Sequence, residues 1–138
     1  MFEEDAIRKL KNSNSTRDLK YLVIDLMVQS FNLEYLSQLA REAGVASRLG
    51  YLAEAAATAC EQKGIKAFQK LYSLAESLYS PDSGWQHLNP NAPEFAKRIL
   101  MQNRQGELNR KWRIYSTLQP SDISDWISLY EVREKYAA

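Results

Sequence analysis

The side chains with reactive chemistry are few and scattered. The chain holds one histidine, His87, and one cysteine, Cys60. A zinc site needs several imidazole or thiolate ligands, so neither residue can build one alone. Cys60 sits in the alanine-rich stretch that begins at Ala53 and reads as a buried, inert thiol. Pairing Cys60 with His87 as nucleophile and base would require a core helix to meet a loop-rich segment. His87 is therefore read as a structural or surface histidine. Two pairs of carboxylates stand out. Asp18 and Asp25 lie two helical turns apart, with Asp25 in a largely apolar stretch. A buried acid there could serve acid–base chemistry or pair with an arginine, for which Arg48 is the candidate. Asp122 and Asp125 lie at a helix start, where capping and the helix dipole account for them. Phosphate-loop, dinucleotide, nucleophile-elbow and H-E-x-x-H patterns are absent from the sequence. These residues predict a non-enzymatic chain with no catalytic residue, no cofactor and no metal.

A different constellation points to binding. Trp85, Arg110, Trp112, Arg113 and Tyr115 interleave aromatic and basic side chains. Such residues can stack bases, pack as a β-ribbon on helices, or form a protein-binding patch rich in Trp, Tyr and Arg. Between Gly84 and Leu118 six basic residues (Lys97, Arg98, Arg104, Arg110, Lys111, Arg113) face two acids, Glu94 and Glu107, a local excess of +4. The whole chain carries only +1. Bulk electrostatic attachment to nucleic acid is disfavoured, while a local basic face toward an acidic surface or a phosphate backbone is not.

The elements that position these residues are mostly helical. Phe2–Lys11 places Glu3, Glu4 and Asp5 before Arg8, Lys9 and Lys11, the order a helix dipole favours. Ser15 with Asp18 resembles a capping box. Leu19, Leu22, Val23, Leu26 and Met27 then recur at helical spacing. Asn32 reads as the next N-cap, and Gly44 as a stop. A further helix spans about Val45 to Lys63, with Leu49, Leu52, Ala53, Ala56 and Cys60 as its stripe. Gly64 punctuates its end, and Ile65, Phe68, Leu71, Tyr72, Ala75, Leu78 and Tyr79 mark another, closed by Ser80–Gly84. Beyond it, Gly84–Leu88 and Lys111–Tyr115 alternate as short strands would, and Pro93–Asn103 has room for a helical turn or more. Pro120 and Ser121 open a last helix, with Ser121 as its N-cap and Ile123, Trp126, Ile127 and Tyr130 on its apolar face.

The 138 residues suit one domain with its own core, and 45% apolar with 25% charged residues is an ordinary globular balance. The apolar runs are too short to span a bilayer. The start, Met1-Phe2-Glu3-Glu4-Asp5, is acidic where a secretory signal is basic. A cytoplasmic protein with no membrane partner is the expectation.

Two stretches carry a family resemblance. One is Ser47-Arg48-Leu49-Gly50-Tyr51-Leu52-Ala53-Glu54. The other is Leu88-Asn89-Pro90-Asn91-Ala92-Pro93, a basic linker, and Asn109-Arg110-Lys111-Trp112-Arg113-Ile114. Together they resemble the C-terminal domain of AbiEi-type antitoxins, transcriptional regulators of type IV toxin–antitoxin systems, over about half the chain. In that family an R-L-G-Y-L helix precedes an L-x-P-x-x-P turn and a basic R-W strand. The resemblance implies a domain that helps neutralise a nucleotidyltransferase-like toxin. The family's N-terminal winged helix has no counterpart before Ser47, and Ser116-Thr117 stand where the family places an asparagine.

The fold expected from these readings is a mainly α helical bundle of four to five helices with a small two-stranded antiparallel ribbon near the C-terminal third. It forms a single helical domain over 1–138, with core helices over 1–83, the basic aromatic segment over 84–120 and a C-terminal helix over 121–136. Expected core residues are Leu22, Leu26, Leu36, Leu49, Leu52, Ala56, Phe68, Leu71, Ala75, Trp112 and Trp126. The leading functional expectation is an interaction domain of a transcriptional-regulator or antitoxin type. It meets a protein partner through Arg48, Trp85, Lys97, Arg98, Arg104, Arg110 and Arg113. The alternatives are a nucleic-acid-binding module using segment 84–118, and a small enzyme using Asp18, Asp25 or His87.

Overall fold

The structure, a computed structural model, describes residues 1–13 and 16–136. Helix α1 (Phe2–Lys11) is followed by a single 3-10 turn (Thr16–Leu19), α2 (Lys20–Val28) and α3 (Leu33–Glu42). Then come α4 (Ala46–Gln62), α5 (Phe68–Leu78), strand β1 (Gln86–His87), α6 (Glu94–Gln102) and α7 (Glu107–Trp112). Strand β2 (Ile114–Tyr115) and α8 (Pro120–Tyr136) complete the order. Ser15, the first residue of the expected capping box, lies outside the described residues.

Helix α4 is the axis. It packs most extensively on α5 and also meets α2, α3, α7, α8 and both strands. Its composition permits this. Ala53, Ala56, Ala57 and Ala59 are all buried, and side chains this small let neighbouring helices approach on several sides. Leu49 and Leu52 fill the spaces between them, and both are fully buried. Around this axis Leu22 and Leu26 of α2, Leu36 of α3, Leu71 and Leu74 of α5 and Ile123 and Ile127 of α8 complete one core. Phe68 and Trp126, expected inside, lie half-buried against that core rather than within it.

Local signals place the helix ends. Asn32 caps α3, its side chain accepting the Tyr35 N–H at 2.9 Å. The Asn32 N–H in turn donates to the buried Glu3 carboxylate at 2.8 Å, tying α1 to α3. That bond holds the Glu3 carboxyl below the usual carboxylate range. Gly44 ends the α3 region at φ 72°, a left-handed conformation in which the Cβ of any other residue would crowd the backbone carbonyl. The Gln119 N–H donates to Asp122 at 2.8 Å at the start of α8. Asp122 is thus a capping residue, with Pro120 in the first helical position, where its missing N–H costs nothing, so Ser121 lies inside α8 and is not its N-cap as expected.

Two expectations about the architecture are overturned. Eight α-helices stand among the described residues where four to five were expected, and the two strands pair in parallel rather than antiparallel. Gln86 is in register with Ile114, and His87 with Tyr115. Both corrections have one cause. Segment 84–120 contains two helices of its own, α6 and α7, between its strands. A parallel pair needs a connection of a dozen or more residues, which the two helices supply, whereas the expected ribbon had no element between its strands long enough to bring the chain back in its original direction. The alternation over Lys111–Tyr115 is divided between elements. Trp112 ends α7, Arg113 turns left-handed at φ 56°, and only Ile114–Tyr115 is extended. No helix among the described residues is long and apolar enough to cross a membrane.

Candidate interaction surface

The second half of segment 84–118 is clasped to α4. The indole of Trp112 lies directly over Gly50, where a Cβ would fall 2.3 Å from the ring. Only glycine leaves room for that contact. One turn further along α4, Glu54 Oε1 accepts both from Lys111 Nζ at 2.6 Å and from Trp112 Nε1 at 3.2 Å. Tyr79 meets the indole edge-on, with ring centroids 5.3 Å apart. On the next face of α4 the Tyr51 hydroxyl donates to Asn109 Oδ1 at 3.5 Å. The Asn109 amide donates to the Ile114 carbonyl at 3.1 Å, so a buried side chain fastens the end of α7 to β2. Asn109 was not anticipated as a structural residue. The motifs R-L-G-Y-L and N-R-K-W-R-I therefore meet in space, and their contacts hold the fold together.

Arg48 belongs to this structural group as well. It is 8% exposed, and its Nη1 donates to the Leu10 carbonyl at 3.3 Å. Burial holds its guanidinium below the ordinary arginine range. It is not available to an exposed basic face, and it does not pair with Asp25. Asp25 instead accepts from Lys9 Nζ at 3.2 Å. Arg113 is likewise occupied, half-buried and donating to the Ser83 carbonyl. Cys60 is buried, and its thiol is pushed up to about 11 by burial, then by Glu131. At neutral pH it stays protonated and weakly nucleophilic.

The first half of the segment is built differently. α6 is amphipathic, yet none of its residues is buried. Phe95 is 76% exposed, Ile99 44% and Met101 56%. Ala96, Ile99 and Leu100 form one wall of a groove of about 320 Å³ whose other wall is His87, Tyr115 and Thr117. At its side Trp85 stacks on Tyr115 with centroids 4.7 Å apart, and His87 lies 5.0 Å from the same ring. Trp85 remains 43% exposed. The His87 imidazole is held below the ordinary histidine range by partial burial and the Lys97 cation, with Glu94 opposing. Two buried side-chain polar atoms on β1 lack a hydrogen-bond partner among the described residues, Gln86 Oε1 and His87 Nδ1, and of the two residues only His87 lines this groove.

The remaining basic residues border this half. Lys97 pairs with Glu94 on α6 at 3.4 Å. Arg110 is exposed and donates to the Gln105 carbonyl at 3.4 Å. Arg98 and Arg104 are exposed, with no ion pair among the described residues. The structure thus places Lys97 near His87 and Trp85 against the neighbouring Tyr115 ring, leaves Arg98, Arg104 and Arg110 exposed on α6 and the loop and helix that follow, and removes Arg48 and Arg113. Phe95 and Ile99 were missed. Their signal was present: Pro93-Glu94 opens a helix, and Phe95–Ile99 with Ala96–Leu100 are two apolar pairs at i, i+4 spacing.

Among the described residues no three His, Cys, Asp or Glu side chains converge as metal ligands. No protein-family model matches this chain, and neither a curated protein nor a solved structure matches it. The likeness to AbiEi-type antitoxins therefore rests on the motif residues alone.

Proposed function

We propose that this chain is a non-enzymatic protein-interaction domain of a transcriptional-regulator or antitoxin type, which presents the first half of segment 84–118 to a protein partner. One observation carries the reading: α6 exposes Phe95, Ile99 and Met101 and buries none of its residues. Exposed apolar side chains gathered on one element and rimmed by charge mark interaction surfaces. Trp85, Arg98 and Arg104 beside them are of the types that dominate binding hot spots. The motif resemblance supplies the candidate partner, a nucleotidyltransferase-like toxin, and a cytoplasmic setting goes with it. Co-expression with the protein encoded immediately downstream tests the proposal. A neighbour that is toxic alone, co-purifies with this chain and is neutralised by it supports the reading. A neighbour that neither binds nor harms growth removes the antitoxin assignment.

Nucleic-acid binding is the second reading, favoured by the exposed Trp85 ring stacked on Tyr115. It requires an affinity that falls steeply with salt, and it fails if no single strand binds at low ionic strength.

A further inference from the structure

We infer that the cleft between the start of α2 and the first turns of α8 binds a nucleoside phosphate, either a free nucleotide or the phosphorylated end of a strand. The site lies away from segment 84–118 and uses none of the residues assigned to the interaction surface. The cleft encloses about 310 Å³ and is lined by Arg17, Lys20, Tyr21, Asp122 and Trp126. Pockets for small ligands begin at about that size. Helical spacing builds both walls. Arg17, Lys20 and Tyr21 stand at i, i+3 and i+4 where the 3-10 turn runs into α2, so they share one side. Asp122 and Trp126 stand at i and i+4 on α8, which packs on α2.

Each wall contributes a ring. Tyr21 is exposed on a helix whose Leu22, Val23, Leu26 and Met27 are buried. Trp126 packs against the core and also lines the cleft. A flat heterocycle stacks on such rings whatever its identity. The cations select an anion. Lys20 Nζ lies 5.8 Å from the Tyr21 ring centroid, so a positive charge sits beside the stacking surface. Asp122 lines the same cleft, yet neither Arg17 nor Lys20 forms an ion pair among the described residues. The Asp122 carboxylate is turned to the Gln119 N–H at 2.8 Å. The charges thus share the cleft without closing it, and two cations outweigh one acid. A phosphate between Arg17 and Lys20 gains charge-assisted bonds from both. Asp122 accepts only, so it repels phosphate and suits a ribose hydroxyl or a base N–H. That difference fixes the orientation, with phosphate toward α2 and the sugar and base toward α8. An acidic side chain would leave the rings unused, and an apolar ligand would leave the cations unused. An anion joined to a flat, hydrogen-bond-donating ring uses all five lining residues.

Calorimetric titration of the full chain at low salt tests this, with AMP, UMP, adenosine, inorganic phosphate and short single strands carrying a terminal phosphate as probes. AMP and UMP should both bind saturably. Adenosine and inorganic phosphate should each bind more weakly by about tenfold or more, since each lacks half of the recognised chemistry. Tyr21→Ala and the double variant R17Q/K20Q should each weaken AMP by about tenfold or more, with unchanged melting temperatures verifying the fold. Trp85→Ala, at the exposed indole of segment 84–118, should leave AMP binding as it is. Strands that bind more tightly than AMP assign the site to a strand end, and strands that bind no better assign it to a free nucleotide; either supports the inference. It is overturned if neither nucleotide binds at millimolar concentration, or if inorganic phosphate binds as tightly as AMP, which would leave an anion site only. Binding indifferent to Tyr21→Ala and R17Q/K20Q, or lost in Trp85→Ala, would place the ligand elsewhere and overturn it too. So would tighter binding of a phosphotyrosine peptide than of AMP, which would assign the cleft to a modified protein.

Discussion

The two halves of segment 84–118 have similar compositions and opposite fates. Both are rich in aromatic and basic side chains. In α7 and β2 these groups turn inward: Trp112 seats on Gly50, Lys111 and the indole share Glu54, and Arg113 holds Ser83. In α6 they turn outward, and the helix contributes nothing to the buried core. Aromatic and cationic character alone therefore does not mark a binding surface. What separates the halves is whether a neighbouring element offers a complementary partner. α4 offers Gly50, Tyr51 and Glu54 at successive positions on its surface, and no comparable set faces α6. Two of the three motifs that carry the resemblance, around Gly50 and around Trp112, fall on the clasp and are spent on folding, whereas the third, Leu88–Pro93, lies outside it and lends Asn89 and Ala92 to the groove.

Removing the clasp should produce the largest effect. Trp112→Ala is expected to cost about 3–5 kcal/mol of stability, the usual range for losing a buried tryptophan. Urea unfolding followed by circular dichroism measures it. Gly50→Val drives side-chain atoms into the indole and should likewise destabilise by at least about 1–3 kcal/mol. If either variant unfolded at the native urea midpoint, the clasp would not be what holds the two halves of the molecule together.

A smaller loss is expected at Glu54. Glu54→Gln keeps the shape but discharges the acceptor shared by Lys111 and Trp112, and should cost about 1 kcal/mol. Adding Lys111→Met to that variant should then cost less than it does in the native chain. Equal costs in the two backgrounds would mean that the pair is not coupled.

The groove half carries a pH signature. Partial burial and Lys97 depress the His87 pKa in the folded state, so the unfolded chain takes up the proton first as pH falls. The stability contributed by neutral His87 is complete above about 6.5, the ordinary histidine value, and is lost as pH drops through and below it. Unfolding midpoints measured between pH 7.5 and 5.5 should fall more steeply for the native chain than for His87→Asn. The difference corresponds to at most about one proton per molecule. Identical slopes would place His87 in a solvated environment and weaken the description of the groove.

The smallest effect on stability belongs to α6 itself. Phe95→Glu should leave the unfolding free energy within about 0.5 kcal/mol of native, because the ring is mostly in solvent already. The same substitution should abolish partner binding. A loss of stability rivalling Trp112→Ala would show that α6 is a structural element and erase the contrast between the halves.

Helical periodicity made much of the architecture legible. Phe2–Lys11 forms as read, Asn32 caps α3, and the stripe Leu49, Leu52, Ala53, Ala56, Cys60 is buried along α4. Those signals are local, since a 3.6-residue repeat with a cap needs no knowledge of its neighbours. Segment 84–120 was legible in composition and not in form. α7 spans under two turns, too short for a periodic pattern to declare itself, and on α6 Ala96, Ile99 and Leu100 face a groove instead of a core while Phe95 stays in solvent. The alternation in Trp112–Tyr115 imitated a strand because the end of a helix and a two-residue strand bury Trp112 and Ile114 in turn. Arg48 misled for a related reason. Arginine is normally exposed, and only the position of Leu10 across the core supplies the carbonyl that accepts it inside.

The amino-acid sequence by itself determined the helical character, the apolar stripes of the central helices and the concentration of positive charge near the C-terminal third. Each is a property of residue type and near-neighbour spacing. Only the tertiary structure decided which cations and aromatics remain for a partner. That choice depends on contacts between residues far apart in the chain, Gly50 with Trp112, Arg48 with Leu10 and Glu54 with Lys111, and no local pattern encodes them.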